Sequence, residues 1–165
     1  APSRTWALDV AANRGASGID GLLATACGWA RGRAAPVTAL LGDVSALHDL
    51  NSLLLLRDSK VPVTLVIFNN DGGGIFGFLP IAQQDDVFEA YFGTPHGCRF
   101  QQAAEMFQLS YSSPTTLSSF REVCRQSWRS EKSSVIEIHT NRAENVAQQR
   151  AWQQVLLQEA FFVES

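Results

Sequence analysis

The chain has 165 residues, 45% of them hydrophobic and 18% charged, and its net charge is −3. That balance describes one globular domain with a sizeable core and excludes disordered and collagen-like chains. It leaves no basic surplus to neutralise the phosphates of a nucleic acid or the surface of an anionic bilayer.

In chain order, Thr5–Val10 reads as a first strand. Gly18–Arg31 follows as a glycine-interrupted helix with Leu22, Leu23, Ala26 and Ala30 on one face. Val37–Leu41 is a continuous apolar run, the habit of a strand buried on both faces. Ala46–Arg57 spaces Leu47, Leu50 and Leu54 as a helix. Val61–Phe68 is a second buried strand, rich in β-branched residues. Asp71–Pro80 is irregular, rich in glycine and long enough to be functional. Phe100–Phe107 and Leu117–Trp128 carry helical spacing, Val135–His139 is a third apolar strand, and Asn145–Val163 is a long terminal helix. Strands alternating with helices predict an α/β fold: a doubly wound, mostly parallel sheet with flanking helices, in a single domain over 1–165.

Other classes fall away. Arg57, Asp58, Ser59 and Lys60 interrupt the longest apolar stretches, whereas a bilayer span needs about 20 apolar residues. No integral membrane segment is expected, and no signal peptide. Cys27, Cys98 and Cys124 are few and far apart, as in the reduced thiols of a cytoplasmic protein. His48, His96 and His139 have no metal-ligand spacing, so no zinc site is expected. There is no P-loop and no GxGxxG. The spacing of Gly15, Gly18 and Gly21 is a weak signal that more often marks close packing.

Two places carry chemistry. Gly42-Asp43 closes the strand Val37–Leu41, with Ser45 just beyond; Asn69-Asn70 closes Val61–Phe68 and runs into Asp71-Gly72-Gly73-Gly74. One helix between two parallel strands puts both ends on the carboxyl edge of the sheet, where open α/β folds bind ligands. A carboxylate, an amide oxygen and a backbone carbonyl form a hard-oxygen set suited to Mg²⁺. A helix N-terminus and a glycine-rich loop suit phosphate. Singly, Asp43 reads as a helix cap and Asn70-Asp71-Gly72 as a turn. Together, each closing a buried strand, they read as a diphosphate clamp.

These residues resemble the thiamine diphosphate (ThDP) motif that begins GDG and ends NN, with Val44 in place of the third-position glycine. The stretches 13–21 (NRGASGIDG), 42–51 (GDVSALHDLN) and 69–76 (NNDGGGIF), with Leu79-Pro80, resemble the SEPHCHC synthase family of menaquinone biosynthesis. The resemblance runs from about Asn13 to His139. It implies decarboxylation of 2-oxoglutarate and addition of the remaining unit to isochorismate, with thiamine diphosphate and Mg²⁺ as cofactors. By position it implies that Asp43, Asn70 and the Gly72 carbonyl hold the metal. It places Gly18, Ile19, Gly42, Val44, Ser45, Gly73 and Ile75 at the cofactor, with Ile19 propping its bent form. Arg14 resembles a reader of a substrate carboxylate, and Ile75, Phe76 and Leu79 an apolar wall beside the substrate. Ordinary core is the competing reading for Ile19, Ile75, Phe76 and Leu79, and a surface ion pair for Arg14. His48 and His96 read as structural; Asp49, Asp71 and Glu105 as solvated or capping residues.

The family has three domains. The chain, starting at Ala1 without Met, is therefore expected to be the C-terminal diphosphate-binding (PP) part of a longer enzyme. The resemblance places the activating glutamate in a pyrimidine-binding domain outside this chain, and active sites between subunits of a homodimer or homotetramer. The chain alone is expected to be catalytically silent. Trp6, Trp29, Trp128, Trp152, Phe161 and Phe162 exceed what a lone domain must expose, and some of them are expected to face other domains or a second subunit. The competing readings are another ThDP enzyme (acetolactate synthase-like or a 2-oxo acid decarboxylase) and a non-catalytic α/β phosphate-binding module.

Overall fold

Three apolar runs and one short polar segment pair into a four-stranded sheet. The computed structural model describes residues 9–13 and 18–160. Its strands are β1 (Val37–Gly42), β2 (Val63–Asn69), β3 (Ser110–Ser112) and β4 (Ser134–His139), and its helices are α1 (Leu22–Arg33), α2 (Asp43–His48), α3 (Leu53–Asp58), α4 (Asp85–Phe88), α5 (Gln101–Met106), α6 (Leu117–Arg129) and α7 (Arg142–Ala160). The order across the sheet is β1-β2-β4-β3, and every pairing is parallel. This is the expected parallel α/β sheet with flanking helices.

The strands explain which face each helix covers. In β2, Leu65, Val66 and Ile67 are each 1% exposed. Successive residues point to opposite faces, so both faces of this central strand are covered. On one face Val63, Leu65, Ile67 and Val135 meet Leu23, Ala30, Leu53, Leu56 and Ala104 from α1, α3 and α5. On the other, Val66, Ile136 and Ile138 meet Phe120, Val123 and Cys124 of α6. A fully buried leucine such as Leu56 contributes about 1.5–3 kcal/mol relative to exposure. The start of α6 is fixed locally: Thr116 Oγ1 accepts from Ser119 N–H and Ser119 Oγ accepts from Thr116 N–H, both at 3.1 Å, a reciprocal cap that satisfies two otherwise orphaned donors.

Several expectations are corrected. The run Val37–Leu41 is not buried on both faces: Ala39 and Leu41 are buried, but Leu40 is 64% exposed. β1 is one of the two edge strands, and Trp128 at the end of α6 reaches it, its Nε1–H donating to Thr38 Oγ1 at 3.0 Å. The single helix expected over Ala46–Arg57 starts three residues earlier and breaks. Residues 50–52 form a 3₁₀ turn between α2 and α3, because Asp49 turns inward instead of continuing the helix. Its Oδ2 accepts from Leu23 N–H and its Oδ1 from Ser52 Oγ, so it caps α1 from a distant loop. The edge strand β3 was not expected; it is three residues long and polar. The irregular stretch Asp71–Pro80 contains 3₁₀ turns at Gly74–Phe78 and from Pro80. The expected strand Thr5–Val10 lies mostly outside the described residues, and Asp9 and Val10 belong to no regular element. No helix among the described residues is long and apolar enough to cross a membrane.

Candidate functional site

β1 and β2 are neighbours in register, Gly42 opposite Phe68, so the residues that follow them emerge side by side. Asp43 is the first residue of α2 and only 2% exposed. A carboxylate that deep needs donors. Its Oδ2 accepts from Gly72 N–H at 2.9 Å, from Asn70 N–H at 3.1 Å and from His96 Nε2 at 3.1 Å, and among the described residues its Oδ1 takes only the adjacent Val44 N–H at 2.8 Å. Asp43 therefore organises the turn after β2.

Asn70 supplies the complementary observation. Its Oδ1 is buried and has no hydrogen-bond partner; among the described residues only Ser134 Oγ shares that state. An orphaned buried acceptor costs about 1–3 kcal/mol, unless a donor or a cation completes it. The Gly72 carbonyl accepts from Gly74 N–H at 2.9 Å and keeps a second lone pair. Carboxylate, amide oxygen and carbonyl together form the hard-oxygen set that suits Mg²⁺.

The glycines here answer to protein packing. Gly72 has φ +127°, and a Cβ on it would overlap the Gly93 carbonyl oxygen. A Cβ on Gly74 would come within 2.5 Å of Asn70 Nδ2. The turn after β2 is pressed between the 92–94 backbone and the Asn70 side chain, and no residue with a side chain fits at Gly72 without moving one of them.

Behind this turn lies a buried polar network. Glu137 on β4 is 0% exposed. Its Oε1 accepts from Asn69 Nδ2 at 2.6 Å, and its Oε2 from Phe100 N–H at 3.0 Å and Tyr111 Oη at 2.6 Å. Asn69 Oδ1 in turn accepts from Asp71 N–H at 3.0 Å. One carboxylate thus ties β2, β3, β4 and the loop before α5 to the start of the glycine turn.

Comparison with known proteins decides the family. The family described as thiamine pyrophosphate enzyme, C-terminal TPP binding domain, matches residues 5–138. The chain belongs to that family. Curated relatives include the 2-succinyl-5-enolpyruvyl-6-hydroxy-3-cyclohexene-1-carboxylate synthases of Rubrobacter xylanophilus, 55% identical over 86% of this chain and 24% of the relative, and of Salinibacter ruber, 54% identical over 81% and 22%. That of Chlorobium phaeovibrioides is 47% identical over 92% of this chain and 26% of the relative. The chain spans about a quarter of the length of the relatives it matches. Among solved structures, benzoylformate decarboxylase from Polynucleobacter necessarius shares the fold with a TM-score of 0.66 at 21% identity, covering 76% of this chain and 24% of that one.

In this TPP-binding domain the sequence-predicted residues fall into three groups. Gly42, Asp43, Val44, Asn70, Gly72 and Gly73 come together at the carboxyl ends of β1 and β2, with Ser45 in the first turn of α2. The long helix expected behind Ser45 is absent: α2 has six residues, too few to build much of a macrodipole. Phosphate would meet backbone N–H groups rather than the end of a long helix. Ile19, Ile75 and Leu79 form a second group, exposed at 37%, 73% and 49%. They are not core; Phe76 is half-buried and packs edge-on against Phe92 at 5.7 Å. Gly18 lies exposed with φ +72° before α1. Arg14, Trp6, Phe161 and Phe162 lie outside the described residues.

Sequence reasoning missed two groups. His96 read as structural, yet its Nε2 reaches Asp43. Nothing in one sequence pairs residues so far apart. Glu137 does carry a signal in the sequence: an acid inside an apolar strand buried on both faces must have partners. Asp71, read as solvated or capping, caps the 96–97 turn: its Oδ1 accepts from His96 N–H at 3.0 Å and Gly97 N–H at 2.7 Å. Those bonds, Gly97 first, hold its carboxyl below the usual range.

Burial first, and then the bond to Glu137, pushes the Tyr111 phenol up to about 12. The folded chain therefore holds this proton more tightly than the unfolded chain, whose tyrosines ionise near pH 10. The resulting stability is fully present below about pH 10 and is lost as pH rises toward about 12. Thermal unfolding across that window should show the loss in the native chain and a flatter profile in Tyr111→Phe. Equal slopes would remove Tyr111 as the cause.

Proposed function

We propose that this domain binds the diphosphate of thiamine diphosphate through Mg²⁺, within an enzyme that acts as a SEPHCHC synthase on 2-oxoglutarate and isochorismate. The observation that carries the cation is the orphaned Oδ1 of Asn70 beside a buried carboxylate whose Oδ1 takes one hydrogen bond among the described residues, from its own neighbour Val44. What supports the reaction is the name shared by relatives up to 55% identical.

The residues fit the group. Asp43, Asn70 Oδ1 and the Gly72 carbonyl would hold the metal; Gly18, Ile19, Gly42, Val44, Ser45, Gly73 and Ile75 would face the cofactor. When bound, thiamine diphosphate supplies the electron sink for decarboxylation and carbon–carbon bond formation. The chain's own residues bind and orient. The three donors on Asp43 Oδ2 fix that buried carboxylate in direction. The exposed Ile75 and Leu79, with Phe76 behind them, supply an apolar wall that would exclude water from the reacting side. Arg14 would read a substrate carboxylate with its guanidinium fork.

That wall faces outward, and Trp152, Val155, Leu156 and Leu157 of α7 are exposed by 53–73%. Surfaces of this kind suit contact with further domains and a second subunit. We infer a homodimer or homotetramer, a pyrimidine-binding domain completing the site, and no turnover by this domain alone. The three free cysteines suit a cytoplasmic compartment.

Calorimetric titration of the full chain with ThDP tests the reading. Binding should require Mg²⁺ and disappear in EDTA, and ADP should not substitute. Equal affinity with and without the metal would overturn the cation; equal affinity for ADP would reduce the site to a general phosphate-binding module.

A further inference from the structure

His96 sits at the centre of the site without a role in the reading above. It belongs to the irregular stretch 94–98, which lies between α4 and α5. Both ends of the residue are held. Its backbone N–H donates to Asp71 Oδ1 at 3.0 Å, and its side chain, 14% exposed, lies against Asp43. The tautomer follows from its partners. Cys98 N–H donates to His96 Nδ1 at 2.9 Å, so Nδ1 is an acceptor and carries no proton. The ring proton is therefore on Nε2, which donates to Asp43 Oδ2 at 3.1 Å. The 3.7 Å separation between Nδ1 and Asp71 Oδ1 is then two acceptors side by side, not an ion pair.

This has a consequence for the carboxylate. Oδ2 is occupied by three donors from two separate segments, the turn after β2 and the 94–98 stretch. Among the described residues Oδ1 takes a single bond, from its own neighbour. The arrangement fixes the carboxylate about its terminal bond and leaves Oδ1 as the oxygen open to a partner. An imidazole that donates from Nε2 and accepts at Nδ1 does so without adding positive charge beside a cation.

We propose that His96 is a positioning residue for the metal: a neutral hydrogen-bond donor that pins Oδ2 of Asp43 and so presents Oδ1 to the divalent cation. The proposal rests on the metal reading above.

Two amides separate positioning from mere loop structure. Glutamine places its side-chain NH₂ near the place of Nε2 and can still donate to Asp43. Asparagine keeps an acceptor near the place of Nδ1, for Cys98 N–H, but cannot reach Asp43. The experiment measures Mn²⁺ binding to the full chain at saturating ThDP, following the free-ion paramagnetic resonance signal, with thermal melts as a fold check. His96→Ala and His96→Asn should each weaken Mn²⁺ about tenfold, the scale of one lost charge-assisted hydrogen bond. His96→Gln should stay within about threefold of the native chain. If alanine prevents folding, the asparagine and glutamine pair carries the test. Native affinity in His96→Asn, or rescue by asparagine and not by glutamine, overturns the proposal and leaves His96 a loop anchor. Tighter Mn²⁺ binding in His96→Ala also overturns it, because the ring would then compete for the carboxylate. Asp43→Ala separates the two levels. Unchanged Mn²⁺ affinity there removes the metal reading and this proposal with it; loss there with native affinity in His96→Asn removes this proposal alone.

Discussion

Asp43→Ala should abolish measurable Mg²⁺-dependent ThDP binding, a loss of at least about 100-fold in affinity. The substitution removes the one anionic oxygen donor of the proposed metal set and the acceptor for Asn70 N–H, Gly72 N–H and His96 Nε2. These losses act together. A divalent cation loses its strongest ligand, and the turn bearing the other two loses its anchor. Removing a buried carboxylate also relieves a desolvation cost, so the variant need not melt much lower than the native chain. The orphaned backbone donors, at about 1–3 kcal/mol each, oppose that relief. Calorimetry with ThDP in Mg²⁺ and in EDTA, with a circular-dichroism melt alongside, resolves binding from folding. A folded Asp43→Ala that binds ThDP with native Mg²⁺ dependence would sink the assignment. Asp43→Asn keeps an acceptor oxygen but loses the charge; it should bind the cofactor more weakly than the native chain and keep more of the turn's order than alanine does.

The second large effect is on stability. Glu137→Leu should lower unfolding free energy by about 3–5 kcal/mol, because the donors around the carboxylate stay in place when it goes. Asn69 Nδ2 retains the Cys98 carbonyl at 3.0 Å, but Phe100 N–H and Tyr111 Oη lose the acceptor that the structure gives them. The favourable case for a hydrophobic replacement, in which all partners are exchanged together, does not apply. For a domain of this size the loss corresponds to a melting temperature lower by roughly 10 °C. Glu137→Gln keeps the shape and one acceptor oxygen and should lose about half as much. Urea unfolding of both variants checks the order. Melting within about 2 °C of the native chain for both would show that the network is dispensable. ThDP binding should weaken as well, since Asn69 links Glu137 to the Asp71 backbone at the head of the glycine turn.

Much of the architecture was legible in the chain itself. Uninterrupted β-branched and aliphatic runs separated by helical spacing require strands buried on both faces, and that means a parallel sheet with helices on each side. The rule failed at β1, where burial depends on what lies across the sheet and Leu40 stays open. Gly42-Asp43 and Asn69-Asn70 announced themselves because each polar pair closes an apolar strand, and strand ends on one sheet edge must be neighbours. Local chemistry of that kind survives in one dimension.

Contacts between distant segments do not. The helix after Asp43 breaks because Asp49 is drawn inward to cap α1, a demand made by another element. Gly72 must be glycine because the Gly93 carbonyl presses on it, a fact about a separate helical turn, Glu89–Gly93. Ser110–Ser112 becomes a strand through β4, with no apolar pattern of its own. The tertiary structure alone brought His96 to Asp43 and gave Glu137 its donors. A single sequence records which groups are present and how they repeat. Which of them share a dry, crowded volume is decided by chain crossings, and there hydrogen-bond satisfaction assigns the partners.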